Sequence, residues 1–178
     1  FAAIADGIGM VPENRKEQCL FLGHSVEDNI AISSMDQYTT AGVVRRGEVR
    51  SAALEQMQRL KLRSSAIGLP VKALSGGNQQ KAIVARELET HPEVLIAVQP
   101  TRGLDVGAIE YIHKILIEHR DKGKAILLVS LELSEVMRVS DRILVIYEGE
   151  LVGQAAPAVV PQQELGLYMS GSKREVLE

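Results

Sequence analysis

A chain of 178 residues with 46% hydrophobic and 24% charged residues has the make-up of a globular protein with one core of ordinary size. Its net charge of −3, 3% aromatic content and lack of tryptophan argue against a nucleic-acid binder built on basic patches or base-stacking platforms. The single Cys19 excludes an internal disulfide framework and fits a reducing compartment. No apolar run reaches the ~18–20 residues needed to cross a bilayer, so any membrane role is expected to come through a partner.

In chain order, Gly7-Ile8-Gly9-Met10-Val11-Pro12-Glu13-Asn14-Arg15 reads as a strand passing into a loop. Ser25-Val26-Glu27-Asp28 places an acid three residues after a serine, the pattern that starts a helix. Between Val49 and Leu60, Ala52, Ala53, Leu54, Met57 and Leu60 fall at helical spacing, with Arg50, Glu55, Gln58 and Arg59 on the opposite face. Gly68-Leu69-Pro70 ends that pattern, and residues 26–90 read as a mostly helical block. From residue 93 the rhythm changes. Val94–Val98, Ala125–Val129 and Ile143–Tyr147 are short β-prone runs, with helices predicted around Ile109–His119 and over Leu133–Val139. Such alternation predicts a parallel sheet with crossover helices. Leu151–Gln154 follows as a short strand after Gly149-Glu150, and Pro161 opens a last helix.

The most informative run is Leu74-Ser75-Gly76-Gly77-Asn78-Gln79-Gln80-Lys81. Ser75 can cap a helix, two glycines let an anion approach the backbone, and the helix start carries partial positive charge. Together these make a phosphate-binding surface, although the same residues also suit an ordinary capped helix. Downstream, the apolar run Glu93–Val98 leads into Gln99-Pro100-Thr101-Arg102-Gly103-Leu104-Asp105-Val106-Gly107-Ala108.

In this order and spacing the two segments resemble the signature motif and the Walker B strand with D-loop of ATP-binding cassette (ABC) proteins. The Asn after the glycines is the variant of sugar and nucleoside importers. The resemblance covers residues from about 4 to about 156, and implies an α/β fold of the P-loop NTPase type. Its parallel sheet carries an inserted helical subdomain, residues 26–90, on a core of residues 1–25 and 91–178. The whole chain is expected to form a single partial nucleotide-binding domain.

ABC domains pair head to tail, with each ATP between one domain's P-loop and the other's signature. Carried over, the signature residues Ser75, Gly76, Gly77, Asn78 and Gln79 serve nucleotide bound to a partner, with Ser75, Gly76 and Gly77 on its γ-phosphate; Gln79 and Gln80 are each a further donor or a solvated helix residue. Asp105 is the D-loop aspartate or simply a helix N-cap. Glu13 stands at the Q-loop position. No G-x-x-x-x-G-K-[ST] run occurs, so the chain is expected to be a fragment starting after the P-loop. The family's Walker B strand ends in Asp, for magnesium, then Glu, for the attacking water. Here Val98 and Gln99 stand there, and Leu131 takes the place of the switch histidine. Valine offers no oxygen ligand, and glutamine cannot accept the water's proton. No catalytic position is left intact by this reading. His24, His91, His113 and His119 show no metal-ligand spacing, Arg45, Arg46 and Arg50 suit a solvated face, and Cys19 suits a buried inert thiol.

The resemblance therefore implies the second nucleotide-binding domain of a tandem import ATPase for nucleosides or simple sugars. Arg102 and Glu13 fit its C-terminal half; Gln99 with Leu131-Glu132-Leu133 leans to the nucleoside branch. ATP and Mg2+ belong to the intact assembly, and the chain alone is expected to be inactive and to bind them poorly. The implied partners are an N-terminal ABC half and transmembrane permease subunits, at the cytoplasmic face of the cell membrane, without nucleic acid. Two other readings stand beside it: a regulatory or structural module without turnover, and a soluble ABC ATPase of repair or translation. Lacking the P-loop strand, the fragment is expected to re-pair its strands or to oligomerise through exposed sheet surface.

Overall fold

In a computed structural model, the described residues are 2–14 and 19–175. Arg15, at the end of the first loop reading, lies outside them. The chain divides into two compact units, Phe1–Val129 and Ser130–Glu178.

The first unit opens with α1 (Ala2–Ala5) and β1 (Ile8–Val11), and continues through α2 (Val26–Ala31). Ser25 caps α2 as its sequence pattern predicts: its Oγ accepts from the Asp28 amide at 3.0 Å and donates to the Asp28 carboxylate at 2.6 Å. That bond, ahead of the nearby Arg46, holds the Asp28 carboxyl below its ordinary range. Asn29 is buried, and its amide bridges the Phe21 backbone in both directions, at 2.9 and 3.0 Å.

A 3-10 stretch over Ile32–Tyr38 then leads into a hairpin of β2 (Thr39–Thr40) and β3 (Val43–Val44). Its turn places Ala41 and Gly42 at φ +49° and +77°. That is the conformation of a tight hairpin turn, so the block is less uniformly helical than its composition suggests. The helix α3 (Arg46–Arg59) packs Val49, Ala53 and Met57 inward. Its Arg46 and Arg50 reach Asp28 and Glu27 on α2 at 3.0 and 3.1 Å. The arginines on this face are thus paired as well as solvated.

α4 (Gly76–Glu89) is the central helix, buried along most of its length. β4 (Val94–Val98), α5 (Val106–Asp121) and β5 (Ala125–Val129) follow where the alternation predicted them. The strands form a parallel sheet in the order β1-β4-β5. On one face Val11, Leu95 and Ala97 are buried among Ile30, Met57, Leu60, Ile83, Ile112 and Ile115. Each of these side chains other than Ala97 contributes about 1.5–3 kcal/mol of burial. Cys19 lies in the same core, where burial pushes its thiol above the usual range and keeps it protonated.

The opposite face is apolar and open. Met10, Leu127 and Val129 are 47%, 52% and 45% exposed, and Ile96 and Val98 beside them are half-buried. Parallel sheets are normally covered on both faces. Of the two expected compensations, re-pairing of the strands does not occur among the described residues. Among the described residues β5 pairs with β4 alone, in the register that keeps Leu95 and Ala97 inward. Any slip by one residue would turn those side chains outward.

The second unit holds α6 (Leu133–Val139), β6 (Ile143–Tyr147), β7 (Glu150–Ala155) and α7 (Gln162–Met169). β6 and β7 form an antiparallel hairpin, turning at Glu148 and Gly149 with φ +50° and +83°. Ile143, Val145, Val152, Leu165 and Tyr168 make its own core.

One titratable group in the first unit should report folding. His119, in the last turn of α5, is 6% exposed, and burial lowers its pKa. A histidine kept neutral by the fold contributes stability that is complete above its unfolded pKa of about 6.5 and is lost as pH falls below it. The urea midpoint should therefore drop between pH 7.5 and pH 5.5, and His119→Gln should flatten that slope. An undiminished slope in the variant assigns the effect to another group.

Candidate functional site

Ser75 holds extended backbone, φ −62° and ψ 158°, and its Oγ accepts from the Asn78 amide at 3.4 Å, a long cap. Ser75 and Gly76 are exposed, so a helix start with a hydroxyl faces outward. Gly77 has a packing duty as well: a Cβ there would lie 3.3 Å from Ala108 Cβ and 3.7 Å from Asp105 Oδ2. Gln79 and Gln80 are buried, and neither is the solvated residue that one reading allowed. Gln79 Nε2 donates to the Leu74 and Val71 carbonyls at 3.1 and 3.4 Å. Its side chain thus belongs to the scaffold under the surface, holding the approach to α4.

The carboxyl ends of parallel strands are where open α/β sheets bind ligands. Glu13 follows β1, Gln99 follows β4, and Leu131 lies two residues beyond β5. Val98 pairs with Val129. Gln99 sits at φ +49°, with its amide donating to the Val129 carbonyl at 2.8 Å. Arg102, in the turn after β4, donates to the Glu13 carboxylate, so two residues singled out separately in the sequence form an exposed ion pair. Leu131 is 78% exposed, and Ser130 Oγ beside it accepts from the Glu132 amide at 3.0 Å. Asp105 is exposed and caps α5, its Oδ1 accepting from the Ala108 amide at 2.9 Å, which realises the N-cap reading.

These groups do not fit a magnesium ion. The end of β4 offers a valine and a neutral amide in place of the carboxylate oxygens such an ion takes. No cluster of three or more His, Cys, Asp or Glu suited to a metal occurs among the described residues. The start of α4 does fit a phosphate, which wants amide and hydroxyl donors and needs no cation.

Two arrangements escaped the sequence reading. Lys81 lies with its ammonium 4.7 Å from the centre of the Tyr111 ring, and Lys61 lies 5.5 Å from it. Burial lowers the Lys81 pKa, against the pull of Asp105. Arg86 and Glu87 form a buried pair at 2.8 Å. Adjacent opposite charges inside the run Ala82–Leu88 were the signal for the second; nothing in the sequence pointed to the first.

The geometry places an exposed, serine-capped start on a buried helix, beneath which Val11, Leu95 and Ala97 of a parallel sheet are packed, the layout of an ATP-binding cassette. The family model described as ABC transporter matches residues 2–102, and the chain belongs to that family. It is 47% identical over 171 residues to the guanosine import ATP-binding protein NupO of Bacillus subtilis, covering 95% of this chain and 34% of NupO. The nucleoside import ATP-binding protein NupA of Lactococcus lactis is 47% identical over 92% of this chain and 33% of its own length. The ribose import ATP-binding protein RbsA of Oceanobacillus iheyensis is 37% identical over 95% and 34%. The chain thus spans about a third of the length of these relatives. Among solved structures, a dimeric ATP-binding cassette in a post-hydrolysis state bound to ADP and Pi superposes with a TM-score of 0.73. It shares 26% identity over 84% of this chain and 62% of that one.

Proposed function

We propose that this chain serves as an ATP-binding domain of an ABC importer for nucleosides or simple sugars, and that its α4 start contacts a nucleotide held by a partner domain. The names of its relatives support the substrate class, with nucleosides first because the relatives named for guanosine and nucleosides are 47% identical and that named for ribose 37%. The observation that carries the reading is the exposed, serine-capped start of α4, in a chain whose β4 ends in a valine and a neutral amide where a magnesium site would need carboxylates. Ser75, Gly76, Gly77 and Asn78 supply the phosphate contacts; Val98, Gln99 and Leu131 mark this domain's own degenerate centre. ATP and its magnesium are then bound by a partner that carries a P-loop. Residues 1–178 form one nucleotide-binding domain in this reading, with 26–90 as its signature subdomain. The domain works beside transmembrane permease subunits at the inner face of the membrane. No helix among the described residues is long and apolar enough to cross a membrane.

The loss of chemistry at Val98 and Gln99 also favours a second reading, a regulatory module without turnover. Association separates the two. Mixed with an ABC domain that has a P-loop, the chain should associate in MgATP, and Ser75→Arg should abolish this by at least tenfold in affinity. Val98→Asp with Gln99→Glu should change it far less. If Ser75→Arg associates normally, the trans contact is wrong.

A further inference from the structure

Gly77 and Lys81 are four residues apart on α4, and Ala108 and Tyr111 three apart on α5, so each pair shares a helix face. Those faces meet in two rungs. Gly77 comes so close to Ala108 that a Cβ would sit 3.3 Å from its methyl, and one turn further in the Lys81 ammonium lies 4.7 Å over the Tyr111 ring. The Tyr111 hydroxyl donates to the carbonyl of Arg59, the last residue of α3, and Lys61 approaches the same ring at 5.5 Å. Tyr111 is therefore a junction of α3, α4 and α5.

At the outer end of the same contact are the exposed residues of interest: Ser75 and Gly76 open α4, and Asp105, with its Oδ2 beside Gly77, opens α5. We infer that Lys81 is a positioning residue whose seat on Tyr111 locks the start of α4 to the turn at 101–105, so that the phosphate surface and the strand-end turn move as one body. Its bearing on nucleotide rests on the reading proposed above; the mechanical link does not.

The test uses the 178-residue chain and nuclear magnetic resonance. Ring currents should shift the Lys81 ε-methylene protons upfield, and Tyr111→Leu should abolish the shift. In Lys81→Met, which keeps the stem and loses the charge, amide exchange should rise together at 79–83 and 108–112, by about two- to fivefold for a contact of this kind. Exchange in β4 should stay unchanged, and Lys81→Arg should restore the parent rates. Tyr111→Phe keeps the ring and should loosen only the end of α3. Exchange that rises in α4 alone, in neither helix, or equally in β4 overturns the inference. Should Lys81→Met leave both helices unchanged while Ser75→Arg abolishes association, the link fails and the trans contact stands; the reverse pattern keeps the link and removes the contact.

Discussion

Arg86→Met should lower the stability of the chain by about 3–5 kcal/mol, the cost of breaking a buried ion pair by removing one partner. Arg86 and Glu87 are each 8% exposed, on the buried helix α4. The guanidinium spends Nε on Glu87 at 2.8 Å and Nη1 on the Cys19 carbonyl. The second carboxylate oxygen of Glu87 accepts from the Met10 amide of β1 at 3.2 Å. Methionine fills much of the vacated volume, so the loss is electrostatic: an unpaired carboxylate in the core and a main-chain carbonyl without its donor. Glu87→Gln in the same chain removes the orphaned charge while keeping an acceptor for Met10, and should recover more than half of the loss. Urea unfolding of parent, single and double variants measures this. A double variant as unstable as Arg86→Met would show that the charge is not the cause.

The second large effect belongs to the unit 130–178. A Cβ on Gly153 would lie 2.6 Å from Tyr168 Cδ1 and 2.8 Å from Cγ, inside any real contact distance. Those atoms belong to a 4%-exposed aromatic ring rather than to the end of a flexible chain. Gly153→Ala must push α7 off β7, and overpacking of this kind costs about 1–3 kcal/mol. The near-ultraviolet tyrosine signal should melt earlier. Adding Tyr168→Leu should make the second substitution cheaper in Gly153→Ala than in the parent chain; strictly additive losses would place the strain elsewhere.

Much of this fold is legible in the sequence. The β-prone runs at 94–98, 125–129 and 143–147 and the helix at 133–139 form where apolar periodicity puts them. The Ser25 cap follows from a spacing of three. The β2–β3 hairpin was not legible, because its turn uses Ala41 before Gly42 instead of the asparagine or aspartate that usually marks it. The capped helix start at Ser75 is legible, but Gln79 is not separable from its neighbours: four polar residues in a row give no phase, and tertiary packing against Val71 and Leu74 decides which turns inward. Nor does sequence adjacency reveal that Glu13 meets Arg102, since the parallel pairing of β1 with β4 brings them together.

The open face of the β1-β4-β5 sheet bears on calorimetry. Apolar groups that already face water in the native state gain no new hydration on unfolding, and that new hydration is what makes the heat capacity of unfolding large and positive. Met10, Leu127 and Val129, about half exposed already, therefore add less to it than covered side chains would. The heat-capacity increment per residue should fall below the usual ~12–15 cal/mol/K, leaving a flatter stability curve, and the denaturant m-value should shrink in parallel. An element that covered this face would steepen both, so that the curvature of the stability profile measures how much of the sheet is dry.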